Sequence, residues 1–290
     1  MNFAILDGKI IERSEAKVDI EDRGYQFGDG VYEVIRIYNG KMFTAKQHLD
    51  RFYRSAESIG IVIPYTKELL TGMLNELVAK NNLGLGIIYM QITRGAAPRN
   101  HAFPAQDVLP ALSAYTKEVG RPAENLESGV RTILTEDIRW LRCDIKSLNL
   151  LGNILAKQKA SEVGCFEAIQ HRGENVTEGS SSNVFIAQNG VVVTHPSDNF
   201  ILKGITKEVI LTLCKENGIA VEERVFTIKD LYDADEVFLS STTAEVMPII
   251  EIEGKAVHNG APGPITKKLQ ELFIEAIEKE CGAITKQTIK

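Results

Sequence analysis

Lys146 stands between Ile145 and Ser147, just ahead of the apolar run Leu148 to Leu155, whose pattern predicts a helix to about Glu162. A lysine at the mouth of an element, rather than on an exposed face, can be held partly desolvated. Desolvation lowers an amine's pKa from ~10.4 towards neutrality and gives a nucleophile able to form a Schiff base. Read alone, the position is more readily a solvated surface charge. Lys203-Gly204-Ile205-Thr206 leads into a predicted helix, 206–216. A glycine-led helix N-terminus offers free N–H groups and a positive dipole end to an anion, although Thr206 could equally be a plain N-cap. Ser240-Ser241-Thr242-Thr243 closes a strand with four hydroxyls suited to phosphate oxygens. Arg51 could complete such a cup as a bidentate donor, or form a surface ion pair.

Glu178 lies in Thr177-Glu178-Gly179-Ser180-Ser181-Ser182-Asn183, a polar, flexible-looking stretch between two apolar strands. A carboxylate there has one specific use: beside a pyridine nitrogen it keeps that nitrogen protonated and makes the ring an electron sink. Lysine, phosphate cup and carboxylate together are what pyridoxal phosphate needs. Arg99 and His101 alternate along Pro98-Arg99-Asn100-His101. In an extended segment they face the same way, so the two could hold a substrate carboxylate.

The elements that must position these residues follow from period and punctuation. Strands are predicted at 3–6 and 9–11 around the turn Asp7-Gly8, and at 31–38, closed by Asn39-Gly40. The segment 22–30, with three glycines and two aspartates, reads as a tight loop. Leu49, Phe52, Ala56 and Ile59 recur at helical spacing, and Thr66 caps a second helix bearing Leu69, Leu70, Met73, Leu74 and Leu77. Strands at 87–93 and 111–115 precede 118–125, where Gly and Pro cluster and periodicity stops; this is the predicted linker. Beyond it come strands at 130–134, 166–170, 184–187, 191–194, 221–226 and 236–240, further strands within 246–257, and a final helix from Ile265 to about Lys279. Strands and helices mix without strict alternation, which gives an α+β fold in two domains, 1–119 and 120–290.

Composition narrows the function classes. The 290 residues are 44% hydrophobic and 25% charged, as in a globular protein. A net charge of −6, with no basic run, argues against a nucleic-acid partner. No apolar stretch reaches the ~18 residues of a membrane span, and no signal peptide is visible. Cys143, Cys165, Cys214 and Cys281 are too scattered for a disulfide framework or a metal site, so a reduced cytoplasmic protein is expected.

Six stretches in order resemble the class IV (fold-type IV) pyridoxal-phosphate aminotransferases: 21–33, 93–101, 142–151, 177–185, 202–206 and 241–243. The resemblance spans nearly the whole chain. It implies a small N-terminal α/β sandwich, a larger C-terminal pseudo-barrel, and pyridoxal 5′-phosphate at their interface. It implies Lys146 as the Schiff-base lysine, which also carries a proton between Cα and C4′, and Glu178 as partner of the ring nitrogen. Arg51, Ile205, Thr206 and Thr242 match phosphate-binding positions, and Leu202 a residue packed on the ring. Tyr32, Arg99 and His101 match the carboxylate trap of the D-amino-acid branch, in which Arg99 and His101 reach across a homodimer. The implied activity is ping-pong transfer of an amino group from D-alanine, D-glutamate or D-aspartate to 2-oxo acids such as 2-oxoglutarate or pyruvate. Branched-chain L-aminotransferases and (R)-amine transaminases share the cofactor residues and differ at the trap. A lyase of the aminodeoxychorismate type would need no amino acceptor. A non-enzymatic phosphate-binding module would leave Lys146 and Glu178 without a task.

Overall fold

The computed structural model describes residues 2–284 and is built on two sheets. The first is antiparallel throughout and uses β1 (Phe3–Leu6), β2 (Lys9–Glu12), β3 (Gly30–Tyr38), β4 (Lys41–Met42), β5 (Gly86–Thr93) and β6 (Ala111–Glu118), in the order β2-β1-β6-β5-β3-β4. Helices α1 (Arg23–Phe27), α2 (Ala45–Ser58) and α3 (Lys67–Lys80) belong to this half. Leu49, Phe52 and Ala56 of α2, with Leu70, Leu74 and Leu77 of α3, pack on Val31, Ile35, Ile37, Ile88, Met90 and Ile92 of the sheet. The apolar periodicity thus found its partner: each helix buries one stripe on one sheet face. Thr66 caps α3 as its sequence predicts, its Oγ1 accepting from the Leu69 N–H at 3.2 Å.

The second sheet uses β7 (Val130–Glu136), β8 (Glu167–Arg172), β9 (Asn175–Gly179), β10 (Asn183–Gln188), β11 (Val191–Thr194), β12 (Ala220–Glu223), β13 (Glu236–Ser241), β14 (Glu245–Ile252) and β15 (Lys255–Ala256). Its order is β12-β11-β10-β13-β14-β7-β8-β9, with β15 on β14. The end strand β9 and the inner strand β10 are joined by Ser180 to Ser182 alone, and the Gly179 N–H reaches the Ser182 carbonyl at 2.7 Å. Only a sheet curled on itself allows that, so this is a half-barrel. Its concave filling includes Val130, Ile169, Val184, Phe226, Leu239 and Met247. Around it run α4 (Ala123–Ser128), α5 (Leu151–Glu162), α6 (Ile205–Glu216), α7 (Ile228–Asp233) and α8 (Pro264–Cys281). A third core joins the halves: Tyr38 and Phe43 of the first meet Phe185, Ile210, Leu269 and Phe273 of the second.

The expected α+β architecture is present, with local differences. The loop 22–30 contains α1, because Asp22 caps a turn by accepting from the Gly24 and Tyr25 N–H groups at 2.8 and 3.3 Å, and Gly28 ends it at φ +66°. The helix after Lys146 starts at Leu151, not Leu148, since Leu148 N–H is taken by the Gly30 carbonyl at 2.9 Å. The stretch 118–125 is partly structured: β6 runs to Glu118 and α4 begins at Ala123. The expected strand 221–226 is β12, shifted to Ala220–Glu223, and α7 follows it with a Thr227–Asp230 capping box. Among the described residues no helix is long and apolar enough to cross a membrane, and no group of metal-ligating side chains gathers.

Candidate active site

A cavity of about 770 Å³, its open mouth included, lies between the two sheets. Eight of the ten residues expected at the site line it: Tyr32, Arg51, Lys146, Glu178, Leu202, Ile205, Thr206 and Thr242. Lys146 is held by its backbone. Its carbonyl accepts from the Tyr32 N–H at 3.0 Å, its N–H meets Ser55 Oγ at 3.2 Å, and Ser147 bridges to Val31. The segment therefore lies along the first residues of β3 as an added edge. The side chain is half-buried, with Nζ 4.1 Å from the centre of the Tyr32 ring.

Glu178 lies not in a flexible loop but on β9, a strand buried from Val176 to Gly179. Strand pairing is what rigidifies the polar stretch. Its Oε1 pairs with Arg139 Nη1, and its Oε2 accepts from Asn183 Nδ2 at 3.0 Å and from the Leu202 N–H at 3.1 Å. Burial raises the Glu178 carboxyl to about 7, although Arg139 pulls it down. Arg139 is itself fixed by Asp137 at 2.8 Å, and Asp137 also accepts from Arg172 and Thr177 at 3.1 and 3.0 Å.

The other end of the cavity is built for an anion. Arg51 is buried in α2, where Nε and Nη2 grip the two oxygens of Glu33 at 2.9 and 2.8 Å, and Nη1 reaches the Lys203 carbonyl at 2.9 Å. Two of its five N–H groups remain for a ligand. His48 Nδ1 sits 3.0 Å from Glu33 Oε1 and completes the clamp. The N-cap of α6 is Gly204, not Thr206, and among the described residues no side chain caps that first turn. A Cβ on Gly204 would fall 1.9 Å from Asn183 Oδ1, so backbone approaches side chain closely there. Ser240 Oγ is buried, lines the cavity and has no partner among the described residues. An uncapped helix start, an unengaged hydroxyl and a braced guanidinium fit a phosphate. The amine and the buried carboxylate beyond them fit the aldehyde and ring nitrogen of a phosphorylated pyridine.

Arg99 and His101 do not line the cavity of their own chain; both are exposed on the β5–β6 connection. Sequence reasoning missed Arg139, Asn183, Glu33 and His48. For Glu33 a signal existed, since it alternates with Val31 and Ile35 on the core face of β3 and a buried carboxylate demands a cation. Arg139 and Asn183 offered none beyond lying inside or beside the chemical stretches.

Fold and cavity define an aminotransferase-type site. The model of amino-transferase class IV matches residues 30–252, and the chain belongs to that family. It is 54% identical over 282 residues to a D-alanine aminotransferase of Listeria monocytogenes serotype 4b, covering 97% of this chain and 98% of that one. A Staphylococcus aureus D-alanine aminotransferase is 53% identical over 278 residues, covering 96% and 99%. Among solved structures, the branched-chain amino acid aminotransferase of Escherichia coli superposes with a TM-score of 0.91 at 28% identity, covering 98% and 97%. A T.th. branched-chain amino acid aminotransferase, solved with pyridoxamine 5′-phosphate, gives 0.90 at 28%, covering 96% and 95%.

Proposed function

We propose that this chain is a pyridoxal-phosphate-dependent aminotransferase for D-amino acids of the alanine, glutamate and aspartate type. It would use 2-oxo acids such as pyruvate or 2-oxoglutarate as acceptors, working as a cytoplasmic homodimer with domains 1–119 and 120–290. The observation that carries the reading is the convergence of Lys146, Glu178 and the uncapped start of α6 on one cavity. Relatives about 54% identical that bear the name D-alanine aminotransferase support the substrate class. The four free cysteines accord with a reduced compartment.

The cofactor, when bound, supplies an electron sink for the pair left at Cα once its proton departs. This chain's residues do the rest. Arg51, the Ile205 and Thr206 N–H groups, Thr242 and Ser240 bind the phosphate, and Leu202 packs against the ring. Glu178, oriented by Arg139, Asn183 and the Leu202 N–H, holds a proton at the ring nitrogen. Lys146 would hold the cofactor through its amine, and that amine, when free, would take the Cα proton and carry it to C4′. Tyr32 and the Arg99 and His101 of the other subunit bind the substrate carboxylate, which accords with their exposure in the single chain. A second 2-oxo acid would be bound by the same residues and take up the amino group.

A positioned amine contributes typically ~10²–10⁴-fold in proton transfer. Lys146→Ala is therefore expected to lose transamination by at least that factor while still folding and binding cofactor non-covalently. Wild-type turnover in that variant would end the reading. L-branched-chain specificity is the second reading, prompted by the solved structures. Initial rates with D- and L-substrates, on the wild type and on Arg99→Ala, separate the two.

A further inference from the structure

The β5–β6 connection that carries Arg99 and His101 is exposed, yet something must hold its side chains at a fixed separation for them to act together. The structure provides one group for this. Arg23, the first residue of α1, is 3% exposed. Its Nε donates to Asp29 Oδ2 at 2.8 Å, and its Nη1 donates to the carbonyls of Asn100 at 2.6 Å and Ala102 at 3.3 Å. Those carbonyls belong to the residues on either side of His101. The Arg23 guanidinium also lies 4.8 Å from the Phe27 ring centre, the Arg99 guanidinium lies 4.4 Å from the same ring, and the His101 ring is 5.7 Å away. Backbone and side chains of the segment are thus seated on a single Arg23–Phe27 platform.

We propose that Arg23 is the positioning residue of the substrate-carboxylate trap, fixing His101 through its flanking carbonyls and Arg99 through Phe27. The inference rests on the reading of Arg99 and His101 as that trap. A planar fork is required: one Nη must serve two carbonyls while Nε stays on Asp29, and a lysine ammonium cannot span all three acceptors. Asp29 does not depend on Arg23 for its charge balance, because Arg94 grips both of its oxygens at 2.8 and 2.9 Å. Loss of the fork therefore loosens the trap without leaving a buried carboxylate alone.

The test uses Arg23→Lys and Arg23→Gln in the cofactor-loaded enzyme. Readouts are kcat and KM for D-alanine, the visible spectrum and the thermal midpoint. Weakening a group that binds ground state and transition state alike raises KM and spares kcat. The KM for D-alanine is expected to rise about tenfold in both variants, with kcat within about twofold and an unchanged spectrum. In an Arg99→Ala/His101→Ala background, where both positioned side chains are gone, Arg23→Lys should add no further rise. An unmoved KM, a parallel fall of kcat with loss of cofactor colour or thermal stability, or an effect that still multiplies with the Arg99→Ala/His101→Ala pair would each overturn the proposal. If Arg99→Ala itself leaves KM unchanged, the trap reading fails. If Arg99→Ala raises KM and Arg23→Lys does not, only the positioning role fails.

Discussion

Glu178 sits between two opposing influences: burial lifts its carboxyl to about 7, and the Arg139 guanidinium works to keep it ionised. Removing the cation leaves chiefly the Leu202 N–H to oppose burial, so Arg139→Met should move the Glu178 pKa further up. The acidic limb of the kcat/KM profile should then shift to higher pH, with activity at pH 7 reduced ~10- to 100-fold, the scale of a supporting contact. A pH–rate profile superimposable on the wild type would contradict this. Glu33 shows the opposite balance. Burial disfavours its charge, yet Arg51 and His48 together hold it well below the usual carboxylate range. A depressed carboxyl contributes stability above its unfolded pKa of ~4.3, and that contribution is lost as pH falls through the folded value. Glu33→Gln should therefore lower the thermal midpoint at pH 7 and flatten its decline below about pH 5. At this scale the sequence reveals the groups that touch a ligand, because lysine, glycine-led helix and hydroxyl cluster carry their chemistry in their type. The groups that orient them, Arg139 and Asn183, act through distances that only the fold creates.

Two elements set the cradle: the start of α6 and the β13–β14 turn. Gly204 has an ordinary φ of −71°, so its smallness serves proximity alone. A methyl there would meet Asn183 Oδ1, while Nδ2 of the same side chain holds both Glu178 and the Leu202 carbonyl. Gly204→Ala is expected to weaken cofactor retention by about 1–3 kcal/mol, roughly 5- to 150-fold in Kd. Equilibrium dialysis of the cofactor at several concentrations checks it, and wild-type affinity would refute the steric account. On the far side, Glu245 opens β14 at φ +56° and accepts from Tyr38 at 2.8 Å and Arg121 at 2.7 Å, which pins the Thr242 turn to the first sheet. Long periodic elements, α2, α3, α8 and β3, are readable in the sequence because each buries one face. Elements that depend on partners are not. β9 reads as a polar loop until β8 pairs with it, and α1 reads as a glycine-rich turn until Asp22 caps it.

For the whole molecule, Arg99 and His101 lie outside the cavity of their own chain, so the proposed trap requires a second subunit. If each subunit lends Arg99 and His101 to the other, Lys146→Ala and Arg99→Ala chains complement one another. A heterodimer of the two has one pocket with its own Lys146 and an intact neighbouring Arg99. Co-refolding equal amounts should recover about a quarter of wild-type activity at subsaturating D-alanine, since half the dimers are mixed and each has one complete pocket. Activity no greater than the average of the separate variants would place the trap within one chain.

The central claim is most directly met by the visible absorption spectrum of the cofactor-loaded protein, recorded before and after addition of D-alanine, with L-alanine in a parallel sample. A long-wavelength band that bleaches with D-alanine alone is the predicted result; it joins cofactor, Lys146 amine and stereochemistry in one observation. Bleaching by L-alanine or a branched L-amino acid instead, or a protein that cannot be loaded with pyridoxal phosphate at all, would contradict the account.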